Sequence, residues 1–161
     1  MIEPAGRAIL GVDLGERRIG LAIVEARDIV ARPLVTIPRA GTVDADAANL
    51  AALVTAHDVG ELVVGLPLEA RGNEGTMAAA TRTWASRVGQ RLGLPVSMRD
   101  ERLSSHVAEE RLGPMPRGRS GGPPSRTQRD RYRGRVDREA AAIILQDELD
   151  ARHSTMPPGP G

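Results

Sequence analysis

Apolar residues change period from one stretch of the chain to the next, and the changes mark out its elements. Ala8–Leu14 is a nearly continuous apolar run closed by Gly15, the pattern of a central strand. Ile19–Val24 follows after a short polar link, close enough to be its hairpin partner, and Pro33–Ile37 reads as a third strand stopped by Pro38. The period then lengthens. Ala47, Leu50, Ala51 and Val54 predict a helix over Val43–His57, with Asp44 or Asp46 near its start. Glu61–Leu66 is another strand, closed by Pro67. Thr76–Leu92 repeats Ala79, Ala80, Thr83, Trp84, Arg87 and Val88 at helical spacing and ends at Gly93. Val96–Met98 is a short strand leading into Arg-Asp-Glu-Arg, and Ser105–Leu112 reads as helix. Val136–Arg152 is the last predicted helix.

Three strands with short links, followed by alternating helix and strand, predict an α/β fold. It is a mixed five-stranded sheet flanked by helices, the ribonuclease H-like arrangement. The expected domain covers 1–152, with a flexible basic loop at about 113–135 and a disordered C-terminal tail at 153–161. No internal repeat is visible.

Composition narrows the chemistry. The chain has 161 residues, 40% hydrophobic, with Trp84 and Tyr132 its only aromatics, so the core must be aliphatic. There is no Cys, which removes disulfides, thiolate catalysis and Cys-ligated zinc. No signal-peptide pattern or long apolar span is present, so a cytoplasmic protein is expected. All 22 basic residues are Arg, and the net charge of +1 conceals an asymmetry. Residues 111–138 hold nine Arg against Asp130 and Asp137, a local +7 that suits either polyanion contact or a solvated loop. His57, His106 and His153 have no ligand spacing and read as surface residues.

Three carboxylates stand out. Asp13 interrupts the most apolar strand, where a charge is expensive unless paired or bound to metal; a strand-end turn is the plain alternative. Asp137 shares a helical face with Ala140, Ala141 and Ile144, so it can point at the sheet; at the start of a helix, it could equally be an N-cap. Asp100 and Glu101 follow a strand, and alternation lets only one of them join a common site. Together such acids can build an oxygen-rich pocket for hard cations, which in pairs support phosphodiester cleavage.

Four segments then resemble one family. They are Gly11-Val-Asp-Leu-Gly-Glu-Arg-Arg-Ile-Gly-Leu-Ala22, Val64-Gly-Leu-Pro67 with Gly72-Asn-Glu-Gly75, Asp100-Glu-Arg-Leu-Ser-Ser105, and Val136-Asp-Arg-Glu-Ala-Ala-Ala-Ile-Ile-Leu-Gln146. In this order they resemble the YqgF family of pre-16S rRNA nucleases, related to Holliday junction resolvases. The resemblance implies a ribonuclease H-like fold, a Mg²⁺ or Mn²⁺ site, and catalytic, metal-holding acids at Asp13, Glu101 and Asp137. It also implies a role in maturing the 5′ end of 16S rRNA during ribosome biogenesis. The chain departs from the family in its Pro/Gly/Arg-rich loop and in Asp147-Glu148-Leu149, where the family often carries an aromatic residue.

The leading expectation is a metal-dependent endonuclease on structured RNA. Arg117, Arg119, Arg126, Arg129, Arg131, Arg133 and Arg135 would hold phosphates, and Arg18 and Arg102 would orient the acids or the scissile phosphate, or form structural salt bridges. With few aromatics, recognition by shape and backbone is expected over base stacking. One alternative is a junction resolvase on four-way DNA, which should act as a homodimer. Another is a nucleic-acid-binding factor without catalysis. Gly-x-Asp-x-Gly also occurs in actin-like ATPases, which need two such domains where 161 residues supply one.

Overall fold

The computed structural model describes residues 6–155. The strands are β1 (Ala8–Leu14), β2 (Arg18–Val24), β3 (Arg32–Pro38), β4 (Val59–Leu66) and β5 (Val96–Asp100). The helices are α1 (Val43–His57), α2 (Thr76–Leu92), α3 (Ser104–Leu112) and α4 (Arg126–Thr155). The sheet order is β3-β2-β1-β4-β5. β1 is central, antiparallel to β2 and parallel to β4; β2–β3 is antiparallel and β4–β5 parallel. This is the mixed five-stranded sheet that the pattern predicts.

Alternation divides the sheet into two faces. Leu10 and Val12 of β1, Ile19, Leu21 and Ile23 of β2, and Leu62 and Val64 of β4 pack with Leu50 of α1 and Trp84 and Val88 of α2. The intervening residues Ala22, Val24 and Val63 pack instead on Ala141, Ala142, Ile144 and Leu145 of α4. Because β1 is covered on both faces, its sequence is a continuous apolar run rather than an alternating one.

α1 and α2 occupy the predicted residues. The N-cap of α1 is Thr42, whose Oγ1 accepts from the Ala45 N–H at 3.1 Å, so neither Asp44 nor Asp46 caps it. α4 differs more. It runs 30 residues, beginning ten before the predicted start and continuing through His153–Thr155. The expected basic loop therefore shrinks to the segment before Arg126, and the remainder of the expected tail lies outside the described residues. A capping box starts the helix: the Gln128 N–H donates to Ser125 Oγ at 3.1 Å, and the Ser125 N–H donates to Gln128 Oε1 at 2.8 Å. Tyr132 OH donates to the Gly113 carbonyl at 2.8 Å, and Thr36 Oγ1 to the Gly134 carbonyl at 2.5 Å. These bonds fasten the early turns of α4 to the end of α3 and to β3. Among the described residues, no helix is long and apolar enough to cross a membrane.

Candidate active site

The α4-facing side of the sheet is stripped of side chains where α4 crosses it. A Cβ on Gly11 would lie 2.8 Å from both the Ala141 carbonyl oxygen and Leu145 Cβ. A Cβ on Gly20 would overlap the backbone of Asp137 itself. Small residues on both elements therefore let the helix lie close to the sheet. Asp13 sits on this same face, directly across from Gly20 in the β1–β2 register.

α4 begins so far upstream that Asp137 is interior to the helix, which removes the N-cap explanation. Its neighbours Ala140, Ala141 and Ile144 are fully buried, as the helical phase predicts. Its side chain is 22% exposed, and the carboxylate accepts from Arg18 Nε at 2.8 Å.

Glu101 arrives from the other side. β5 ends at Asp100, and the Glu101 N–H continues the pairing by donating to the Leu66 carbonyl at 3.2 Å. The Glu101 carbonyl is held by Ser104, through its N–H at 3.0 Å and its Oγ at 2.8 Å. A Cβ on Gly65 would overlap Glu101 Oε2, so this glycine is the floor on which the carboxyl rests. Asp100 turns away: it takes the Arg102 N–H at 3.0 Å and Arg102 Nε at 2.9 Å. Of the two adjacent acids, Glu101 is the one beside Asp13, while Asp100 lines the cavity next to it and acts on Glu101 by charge.

Asp13 and Glu101 lie near enough for each to shift the proton affinity of the other. Burial pushes Asp13 up to about 6; the neighbouring Glu101 carboxyl opposes this and the charge of Asp137 adds to it. Burial, the charge and closeness of Asp13, and the Asp100 charge push Glu101 up to about 9. Glu101 Oε2 is buried and accepts no hydrogen bond. A buried pair of this kind is costly when ionised unless a cation compensates it.

Among the described residues, no three Asp, Glu or His side chains stand closed around one point as a finished metal cage. Asp13 and Glu101 form a pair; Asp137 is near enough to act on Asp13 by charge but is held by Arg18. The donor set nevertheless fits a hard divalent cation: all oxygen, buried, and with one carboxylate oxygen unpartnered. Glu101 also lines a cavity of about 700 Å³, whose walls include Leu68, Arg99, Leu103, Val107 and Ile143.

The arginines named from sequence do not act as one group. Arg18 touches the site. Arg102 lines the cavity beside Glu101 while it holds Asp100 and donates to the Ala70 carbonyl at 3.2 Å. Arg117 and Arg129 reach loop carbonyls of Gly121 and Pro124, while Arg119, Arg126, Arg131, Arg133 and Arg135 are exposed. Sequence reasoning misses Arg138, and it misses a buried network behind the site. Asp46, 1% exposed, accepts from Arg39 Nε at 2.9 Å, the Ala40 N–H at 2.8 Å and Trp84 Nε1 at 3.0 Å. Arg39 Nη1 in turn donates to the Gly15 carbonyl at 2.8 Å, two residues beyond Asp13. An acid flanked by apolar Ala47 and Leu50 is the one local hint of it.

Residues 7–151 match the model of the family RuvX, described as Holliday junction resolvase. A protein of Anaeromyxobacter sp. (strain Fw109-5) named "Putative pre-16S rRNA nuclease" is 46% identical over 145 residues, covering 90% of this chain and 98% of the relative. One of the same name from Chloroflexus aggregans is 42% identical over 148 residues, covering 92% and 96%. The structure of T. thermophilus RuvC in complex with Holliday junction substrate superposes with a TM-score of 0.55 at 16% identity, covering 95% of this chain and 99% of that one. At that identity the likeness concerns the fold.

Proposed function

The chain belongs to the RuvX family, the YqgF family of its motifs, and from that membership we propose that it is a metal-dependent nuclease processing the 5′ end of pre-16S rRNA. The observation that carries the reading is the buried Asp13–Glu101 pair, with its unpartnered oxygen, facing Asp137 across a floor of glycines.

Asp13, Glu101 and Asp137 would hold Mg²⁺ or Mn²⁺. Bound there, the metal supplies Lewis-acid activation of water and charge stabilisation at the leaving oxygen of a phosphodiester. The chain's own residues define where this happens. Gly20 and Gly65 leave room that side chains would fill. Ser104 and the Leu66 carbonyl fix the backbone of Glu101. Burial favours the protonated forms of Asp13 and Glu101, and both must ionise to serve as ligands. Arg18 stands at Asp137, able to turn its charge toward a scissile phosphate.

A second reading has a specific support: the family is described as Holliday junction resolvase. It keeps the acids, makes four-way DNA the substrate and requires a two-fold dimer. One comparison separates the readings. Wild type and Asp13→Asn are incubated with 16S precursor RNA and with a four-way DNA junction, with Mg²⁺ or Mn²⁺ and then with chelator, and native mass gives the oligomeric state. Metal-dependent RNA cleavage lost in the variant supports the first reading. Junction cleavage by a dimer supports the second. Binding without any cleavage leaves a non-catalytic factor. Equal cutting by the variant removes Asp13 from the chemistry.

A further inference from the structure

α4 carries most of its arginines before Asp137, and the structure sorts them by face. Arg131, Arg135 and Arg138 follow at spacings of four and three, so they share one side of the helix. That side meets Arg18 of β2 and Thr36 of β3 in a recess of about 340 Å³. Its floor is the buried Gly134, whose carbonyl takes the Thr36 hydroxyl. The guanidinium of Arg138 lies over that floor: a Cβ on Gly134 would be 3.7 Å from Arg138 Nη1. The recess also shares a wall with the acid site, because Arg18 lines it while its Nε holds Asp137.

The charges in this recess are unbalanced. Arg131, Arg135 and Arg138 make no ion pair among the described residues, although Asp130 stands at the rim. Arg87 and Arg91, which also lie close together, share Asp44, whereas the three recess arginines are gathered on one lining with no such ion pair. Like charges gathered without a partner repel each other, and an arriving anion relieves that repulsion. Planar forked donors match the paired oxygens of a phosphate or a carboxylate.

We infer that this recess is a dedicated subsite for one backbone phosphodiester of the RNA strand, next to the one that is cut, gripped by Arg131, Arg135 and Arg138 with Arg18 shared between it and Asp137. The inference rests on the nuclease reading and deepens it. Strand register would be set here by α4 rather than by the loop before Arg126. Arg126 and Arg133, outside the recess, add at most diffuse attraction.

The test measures binding apart from cleavage. In the full chain carrying Asp13→Asn, affinity for a short labelled RNA is followed by fluorescence anisotropy across a salt series. Arg135→Gln and Arg138→Gln should each lower the slope of log Kd against log salt by about 1. Arg91→Gln, on the opposite side of the sheet, should not change it. In the cleaving background the same two variants should raise KM several-fold and leave kcat nearly unchanged. RNA with a neutral methylphosphonate at successive positions should then lose affinity at one position for the parent and nothing further there for Arg138→Gln. Unchanged slopes, slopes matching Arg91→Gln, or additive losses at every position would overturn the subsite. If the wild type cuts neither RNA nor a DNA junction, the nuclease reading fails on its own, and the salt slopes still report whether the recess holds phosphate.

Discussion

The backbone carbonyl of Asp137 rests on the Cα of Gly20, at the position where any Cβ would overlap it. Gly20 is also the residue directly across from Asp13. One missing side chain thus sets the approach of α4 and the separation of two acids. Gly20→Ala should push α4 outward, because the obstructing atoms are backbone and cannot rotate away. Overpacking of this kind costs about 1–3 kcal/mol, and a displacement near 1 Å at the site would cost about a hundredfold in activity. Thermal unfolding and cleavage rates check this. Gly122→Ala, where a Cβ meets nothing within 4 Å, should change neither.

How far these relationships are legible in the sequence depends on their range. α1 and α2 lie where helical spacing puts them, since each buries an apolar stripe on the sheet. The phase that turns Asp137 toward the sheet also holds, because Ala140, Ala141 and Ile144 are all buried. The start of α4 escapes periodicity for a physical reason. From Arg126 to Arg135 only Tyr132 is apolar, so there is no stripe to read. The Ser125-x-x-Gln128 box marks the start instead. The choice of Glu101 over Asp100 depends on Gly65 and Ser104, which no local pattern links to it. The Asp46 network joins three separate segments and is invisible to any window.

The capping box gives a localised prediction. Ser125→Ala removes the acceptor for the Gln128 N–H and should cost about 1 kcal/mol. The loss should be confined to the first turns of α4. Hydrogen exchange should show faster amides around Arg126–Asp130 and unchanged protection at Ala140–Leu145. Uniform loss of protection along α4 would show that the helix does not start independently.

Asp46 should matter more than its distance from the acids suggests. Asp46→Ala leaves Trp84 Nε1 without a partner in the core and Arg39 without its counter-charge. Breaking a pair of this kind by removing one member costs about 3–5 kcal/mol. Arg39 also holds the Gly15 carbonyl, so the turn after Asp13 should loosen. Trp84→Phe removes only one donor, retains most of the packing, and should cost about 1–2 kcal/mol. Denaturant unfolding of both variants checks the ordering; a Trp84→Phe loss equal to that of Asp46→Ala would contradict it.

The acid pair makes stability depend on pH in a direction opposite to that of most carboxylates. Asp13 and Glu101 rise from ordinary values of 3.8 and 4.5 to about 6 and about 9 on folding. Between the unfolded and folded values the native chain binds more protons than the unfolded one, so stability falls as pH rises. The contribution is complete below about pH 4, declines first as Asp13 ionises and is lost above about pH 9. A tenfold change in proton affinity corresponds to about 1.4 kcal/mol, and each kcal/mol moves Tm by about 2–4 °C in a chain of this size, so the fall between pH 5 and pH 9 should be on the order of 10 °C or more. Divalent cations should reverse it, with a stabilisation by Mg²⁺ that is small at pH 5 and grows toward pH 9. Glu101→Gln removes the second ionisation: the variant should flatten the profile, melt above the wild type at pH 8 without metal, and cleave nothing. Differential scanning calorimetry at pH 5, 7 and 9, with and without Mg²⁺, measures the pH and metal effects, and a cleavage assay checks the last. A profile that rises with pH in the absence of metal, or a Mg²⁺ effect independent of pH, would mean that burial does not favour the protonated carboxyls in the folded chain.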